Sequence, residues 1–301
     1  MDNILVVGSM NMDLVVNTNR VPDKGETIIG KSFEQVPGGK GANQAAAVGK
    51  LGGRVSFVSA CGKDSFGDDL LSSLQDKGVD TSSVFTLDDN TGIAAITVEE
   101  DGDNRIIVVQ GANASLSPEM IDQVEGKIKE AAYLLLQMEI PLATVIHTIE
   151  LADFYQTRVI LDPAPAQGLP REIYSKIDYL LPNSGELALL LEEYDLRDEE
   201  DKIEQLLDWG VKNILITKGS EGVTLYHKGS QQVYPTLKVK AVDTTAAGDT
   251  FAGALAFGLQ KGWDIDRCIS FGNRAAAISV TRPGAQSSIP SFAEVENMKG
   301  I

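Results

Sequence analysis

Histidine, cysteine and tryptophan are scarce in this chain, with two of each among 301 residues. His147 and His227 belong to no ligand-like cluster, which argues against a zinc site and against a Ser-His-Asp triad. They read as a helix-face residue and a residue near a hairpin turn. Cys61 and Cys268 give no disulfide framework, so each reads as a small buried side chain and a reducing cytoplasm is the expected setting. No apolar run is long enough to cross a bilayer. "MDNILVVGS" runs into a strand without a basic leader, so no signal peptide is expected. Basic residues are outnumbered, 26 Lys and Arg against 43 Asp and Glu, for a net charge of -17. A field of that sign repels nucleic acid and anionic membranes, and neither is expected as a partner. The run "RDEEDKIE" (197–204) reads as a solvated helix face. If such a chain handles phosphate, it needs a locally positive site or backbone N–H donors.

Apolar residues, 43% of the total, are ample for a large core, and they fall in alternating strand and helix patterns. "NILVVGS" (3–9), "RVSFVSACG" (54–62), "AYLLLQMEI", "RVILDPAPA", "DYLLPN" and "KNILITKG" read as strands. Helices are expected at 41–52, 64–78, 117–131, 141–156, 184–193, 199–209, 246–261 and 264–280. Asp64 is the expected N-cap and Gly78 the end of one; Ser117 and Pro118 open another. The fold class is therefore α/β, a mostly parallel central sheet with helices on both faces. Two stretches break the alternation: 12–36, with strands "DLVVNT" and "ETIIGKSFEQV", and 91–110, a hairpin turning at "EDGDN". They are expected to form one small β-sheet lid on a single domain spanning 1–301.

"GETIIGKS" (25–32) matches the spacing of a P-loop, G-x-x-x-x-G-K-[ST]. The setting does not fit. A P-loop follows a buried strand and opens a helix, so that backbone N–H groups wrap the phosphates. Here Ile28 and Ile29 are strand-like, and Pro37, Gly38 and Gly39 intervene before a helix can start. The segment is expected to be a short strand with a turn, and Lys31 to be dispensable for ATP chemistry.

Four other stretches carry chemistry. In "VDTTAAGDTFAGALAFGL" (242–259), Ala246, Ala247 and Gly248 open a helix whose free N–H groups and dipole make an anion hole. Asp249 in its first turn is either a helix-stabilising charge or a base within reach of a substrate hydroxyl, and both can hold together. In "PGGKGANQAAAVGKLG" (37–52), Gly38, Gly39 and Gly41 frame Lys40, which can reach an anion, and Asn43, which can donate to a hydroxyl. A dinucleotide fingerprint would need glycine at Gln44, which weakens a nicotinamide oxidoreductase reading. In "LPNSGE" (181–186), Asn183 and Glu186 have the spacing of oxygen ligands near a hydrated Mg²⁺, and equally of a capping box. Asn11, Asp13 and Glu139 follow apolar strands, where a wound sheet gathers polar groups around a crevice suited to a polyhydroxy substrate.

Together these stretches resemble the ribokinase-like carbohydrate kinase family. "GGKGANQAAAVGKLG" is similar to its N-terminal signature and "DTTAAGDTFAGAL" to its C-terminal one. The likeness extends through "VVGSMNMD", "QGANASLSP", "LDPAPA", "LPNSGE", "ITKGSEGV" and "VTRPGAQSSIP". Lys40, Ala246, "GSMNMD" and "QME" are closest to members acting on ribose. The resemblance implies a kinase for D-ribose or a related sugar, with ATP as co-substrate, Mg²⁺, K⁺ as activator, and a homodimer formed through the lid. It implies Asp249 as base and the N–H groups of Ala246, Ala247 and Gly248 as anion hole. Asn11, Asp13, Gly39, Lys40, Asn43 and Glu139 would hold the sugar. Asn183 and Glu186 would act near Mg²⁺, and Asn183, Thr217, Gly219, Ser220, Gly222, Gly248 and Asn273 at the nucleotide. Asp243, Thr245, Ser279, Arg282, Gly284 and Ser288 would surround K⁺, some through main-chain oxygens, with Pro283 inside that loop. Deoxyribose, fructose or a nucleoside are alternative substrates, and a non-catalytic sensor on the same scaffold is the alternative of another class.

Overall fold

The computed structural model describes residues 3–100 and 103–298. Its strands are β1 (Asn3–Val7), β2 (Asn11–Asn17), β3 (Ser32–Gly38), β4 (Val55–Gly62), β5 (Val79–Leu87), β6 (Gly92–Val98), β7 (Asn104–Val109), β8 (Ala131–Leu136), β9 (Arg158–Leu161), β10 (Tyr179–Leu180), β11 (Asn213–Thr217), β12 (Val223–His227) and β13 (Ser230–Tyr234). Nine form one sheet in the order β13-β12-β11-β10-β9-β8-β1-β4-β5. Its strands run parallel from β5 to β11, and β12 and β13 add an antiparallel edge.

The continuous apolar runs follow from burial on both faces. In β1, Leu5 and Val7 point into one core, with Ile149 of the helix Leu142–Tyr155; Ile4 and Val6 point into the other, with the helices Lys40–Lys50, Ser65–Gln75 and Ala247–Gln260. Strand order reverses at β1: the chain passes first to β4 on one side and later to β8 on the other. In a wound sheet, the crevice beyond the carboxyl ends at such a point is where ligands bind. Glu139, Asp162 and Asn183 lie just past β8, β9 and β10, and Thr217 ends β11.

The two stretches that break the alternation meet in a second sheet, β3-β2-β6-β7. It is mixed: β2 pairs antiparallel with β3 and parallel with β6, and β6 with β7 antiparallel. Asp101 and Gly102 of the expected hairpin turn lie outside the described residues, although the β6–β7 pairing it implies is present.

Three expectations are corrected. Residues 25–31 form a loop, and β3 begins only at Ser32. Ile29 is 89% exposed, so its strand propensity has no burial to act on. The loop is fastened instead by the Arg20–Glu26 ion pair and by the Lys31 N–H on the Asn17 carbonyl (2.7 Å). Second, β5 is a strand not expected from its polar sequence; as the edge of the large sheet it is only partly buried. Third, 117–131 is not one helix but two short ones, Pro118–Asp122 and Glu125–Glu130, separated by Val124 in a non-helical conformation.

Candidate active site

Small residues bring the site together. Gly39 has φ 86°, and a Cβ there would sit 2.7 Å from Asn11 N and Met10 Cα. At Gly41 a Cβ would meet the Gly8 carbonyl carbon at 2.7 Å, and at Gly253 the Ala47 Cβ at 2.5 Å. The helix Lys40–Lys50 is thus pressed against the end of β1 and against the helix Ala247–Gln260. Only side chains this small permit that approach. It delivers Lys40, Asn43 and Gln44 to Asp249.

Asp249 is 4% exposed. Its carboxylate accepts from Asn43 Nδ2 at 2.9 Å and Gln44 Nε2 at 3.1 Å, with Lys40 Nζ at 3.8 Å. Asp162 shares the same donors, Gln44 Nε2 at 2.7 Å and Lys40 Nζ at 3.5 Å. Burial pushes the Asp162 carboxyl up, against the pull of Lys40. For Lys40 burial opposes the charge, but Asp162, Asp249, Glu139 and Glu186 outweigh it and hold the ammonium above its usual range. One cation therefore serves several carboxylates, the side chains alone leave the site acidic, and the need of an acidic chain for anion-binding groups falls on backbone N–H donors. Glu139 accepts from the Ser9 hydroxyl and from the Lys40 N–H (3.0 Å), which ties it to the start of the helix. Asp13, half-buried on β2, is pushed up to about 7 by burial and by facing Glu139 and Asp249.

Ala246 takes a left-handed conformation, φ 58°, at the cap of the helix Ala247–Gln260. The Ala247 N–H donates to the Thr244 carbonyl (3.2 Å), whereas those of Ala246 and Gly248 have no hydrogen-bond partner among the described residues. A Cβ on Gly248 would meet nothing within 4 Å. Two cavities meet here. One, about 380 Å³, is lined by Lys40, Asp162, Asn183, Glu186, Gly248 and Asp249. The other, about 290 Å³, is largely apolar and lined by Thr217, Gly219, Ser220, Gly222, Asn273 and Val280, among others. Thr217, Gly219, Thr244, Ala247, Gly248 and Phe251 border both.

Several side chains have local work as well. Asn183 and Glu186 form a full capping box, each side chain 2.8 Å from the other's N–H. Asn273 spends its amide on the Tyr234 and Pro235 carbonyls (3.0 and 3.3 Å), so it shapes the apolar cavity by holding the chain after β13. Asp243 accepts from the N–H of Thr245 (2.9 Å) and of Gly284 (2.8 Å), fastening the segment around Gly284 to the chain that leads into the helix Ala247–Gln260. Those hydrogen bonds hold its carboxyl below the ordinary value even though burial alone would raise it. Ser279 and Ser288 bond to the Ala276 and Ala285 carbonyls, and Arg282 pairs with Glu294. Among the described residues no three His, Cys, Asp or Glu side chains form a metal-binding group.

Sequence reading missed Ser9, Gln44, Asn113 and Asp162 as members of the site. All four are polar and almost wholly buried. Each lies within or beside a motif already noted, but burial of a polar group is visible only once the elements are packed.

The pfkB family carbohydrate kinase model matches residues 1–291. A ribokinase of Lactococcus lactis is 40% identical over 297 residues, 98% of this chain and 96% of that protein. The crystal structure of a Thermotoga maritima ribokinase, 43% identical, superposes with a TM-score of 0.91 over 97% of each chain. The structure of Arabidopsis thaliana ribokinase complexed with ribose and ATP, 34% identical, also gives 0.91 over 97% of each chain. With its match spanning nearly the whole sequence, the chain belongs to the pfkB family of carbohydrate kinases.

Proposed function

We propose that this chain transfers the γ-phosphoryl group of ATP to the 5-hydroxyl of D-ribose. The observation that carries the reading is the place of Asp249: a buried carboxylate oriented by Asn43 and Gln44, adjoining the unpartnered Gly248 N–H, where a polar and an apolar cavity meet. The full-length likeness to ribokinases supports the choice of sugar.

In this reading the apolar cavity takes the adenine, and Thr217, Gly219, Ser220 and Gly222 line it. The polar cavity takes the phosphates and the sugar's primary hydroxyl. Asn11, Asp13, Gly39, Lys40, Asn43 and Glu139 hold the sugar. Asp249 accepts the hydroxyl proton as that oxygen attacks phosphorus, a contribution of ~10²–10⁴-fold. The N–H groups of Ala246 and Gly248, with the helix dipole, stabilise charge on the transferring group, while Ala247 is tied to Thr244. Because Asp249 shares Lys40 with Asp162, the ammonium does not neutralise the base alone.

Asn183 and Glu186 line the polar cavity and suit a Mg²⁺ that keeps most of its waters, since the capping box engages the single side-chain oxygen of Asn183 and leaves Glu186 one carboxylate oxygen, Oε1. When bound, Mg²⁺ neutralises charge on the phosphates. Asp243, Thr245, Ser279, Arg282, Gly284 and Ser288 fit a K⁺ loop in which Asp243 fastens two segments and Arg282, held by Glu294, offers only its main chain. The second sheet acts as a lid that excludes water from the transfer. Its edge strand β7 leaves Ile106, Ile107, Val108 and Val109 exposed, two to each side, an apolar edge suited to the lid of a second copy in a homodimer. The cytoplasm is our proposed setting, and the two free cysteines suit its reducing conditions.

The test is ADP formation from Mg-ATP with D-ribose, 2-deoxyribose, fructose and nucleosides, with and without K⁺. Turnover highest on ribose and raised by K⁺ is expected. Turnover confined to another sugar would overturn the substrate, and none at all from folded protein would favour a sensor.

A further inference from the structure

The motif "QGANASLSP" holds a residue to which the catalytic reading gives no task, Asn113. Its side chain is 2% exposed and is fixed by backbone groups whose donor or acceptor sense admits one arrangement. The Met10 N–H can only donate, and lies 3.0 Å from Asn113 Oδ1. The Met10 and Gln110 carbonyls can only accept, and lie 3.0 and 3.1 Å from Asn113 Nδ2. The amide of Asn113 therefore has one possible orientation. Its Nδ2 is also 2.8 Å from Asn11, so the atom that Asn11 presents there must be Oδ1. The Nδ2 of Asn11 is left facing away, with no hydrogen-bond partner among the described residues. Gly92 makes room for the pair: a Cβ there would lie 2.3 Å from both Asn11 Oδ1 and Asn113 Nδ2. Asn11 and Asp13 are two apart on β2 and share one face, and Asp13 looks toward Glu139 and Asp249.

We infer that Asn113 is a positioning residue that sets sugar specificity: it locks Asn11 as a hydrogen-bond donor, so that Asn11 offers an N–H to an oxygen lone pair of the sugar beside the acceptor Asp13, and the 2-hydroxyl, which ribose has and 2-deoxyribose lacks, is the oxygen put to the test. This rests on the ribose reading above. An Asn11 free to flip would present donor or acceptor indifferently and read the position less sharply. The lock also ties together two of the four connections to the second sheet, at Met10 and at Gln110.

The experiment compares kcat/KM for D-ribose and 2-deoxyribose in wild type, Asn11→Ala, Asn113→Asp and Gly92→Ala. Asn113→Asp keeps the acceptor for Met10 but removes the Nδ2 donor to Asn11 and, with it, to the Met10 and Gln110 carbonyls. Gly92→Ala separates the pair while leaving both residues in place. In both, discrimination between the sugars is expected to fall by about tenfold, the worth of one hydrogen bond to a buried group, to the level of Asn11→Ala. KM for ATP, which a general structural defect would move, stays unchanged. Discrimination lost in Asn11→Ala but kept in the other two overturns the inference and leaves the sugar site standing. Discrimination kept in all three removes Asn11 from the sugar site, and the inference with it. The unmodified enzyme gives an arm independent of variant folding, using 2-deoxy-2-fluoro-D-ribose, whose fluorine can accept but not donate. Its KM is expected between those of ribose and 2-deoxyribose. A KM above that of 2-deoxyribose means that Asn11 presents its oxygen, and refutes the lock.

Discussion

Replacing Asp13 by Asn should make the protein more stable and a poorer kinase. The carboxyl of Asp13 is pushed from 3.8 to about 7, first by burial and then by Glu139 and Asp249. A rise of roughly three units, at ~1.4 kcal/mol each, puts the cost of the charge on the order of 4 kcal/mol. The sign follows from proton binding. Between about pH 4 and pH 7 the folded protein holds a proton at Asp13 that the unfolded chain has released, so stability from this group falls as pH rises through that window. Asn has the same shape and no charge, so Asp13→Asn removes the slope. Urea melts at pH 5 and pH 8 should show the variant ahead of wild type by a margin that widens at pH 8. The sugar should register the opposite effect. Loss of a charged acceptor is worth ~1.5–3 kcal/mol, or roughly tenfold to hundredfold in the KM for ribose. In wild type that KM should itself rise as pH falls below about 7, and this dependence should vanish in the variant. A variant no more stable than wild type at pH 8, or a margin independent of pH, would refute the reasoning.

Gly248→Ala adds a methyl group facing open cavity. The fold should keep or gain ~0.5–1 kcal/mol, while turnover falls at least tenfold because the methyl stands where a phosphate must approach; calorimetry and steady-state kinetics check both. Gly39→Ala has no such freedom, with φ 86° and a clash on Met10 and Asn11, and should cost ~1–3 kcal/mol or more in denaturant melts. Lys31→Ala removes an exposed ion pair to Glu100 at 3.5 Å, so stability should move by less than ~1 kcal/mol and turnover should stay near wild type. Loss of turnover in folded Lys31→Ala would revive the P-loop reading of "GETIIGKS".

Much of this was legible in the chain because the strongest signals are local. Uninterrupted apolar runs marked the strands buried on both faces, and Asp64 caps its helix by accepting from the Gly67 N–H at 2.9 Å. Gly39, Gly41 and the small residues after Thr245 announced close backbone approaches. What sequence could not show were matters of packing. β5 is polar because an edge strand is only partly covered, so its pattern is weak. Residues 25–31 have strand-like composition but lie exposed as a loop, joined to β2 by the Lys31 N–H on the Asn17 carbonyl. Asp162 and Gln44 look like ordinary polar residues until the helix Lys40–Lys50 is laid beside the end of β9, where Gln44 Nε2 bridges Asp162 and Asp249 and Lys40 faces both carboxylates. The capping reading of Asn183 and Glu186 was equally available from sequence, and their local geometry takes that form.

The most direct test of the account is turnover of D-ribose with Mg-ATP and K⁺ by wild type and by Asp249→Asn, the phosphorylated position read by NMR. Wild type should yield ribose 5-phosphate, and kcat should fall ~10²-fold or more in a variant that melts like wild type. Near-normal turnover in folded Asp249→Asn, or a phosphate placed on another hydroxyl, would contradict it.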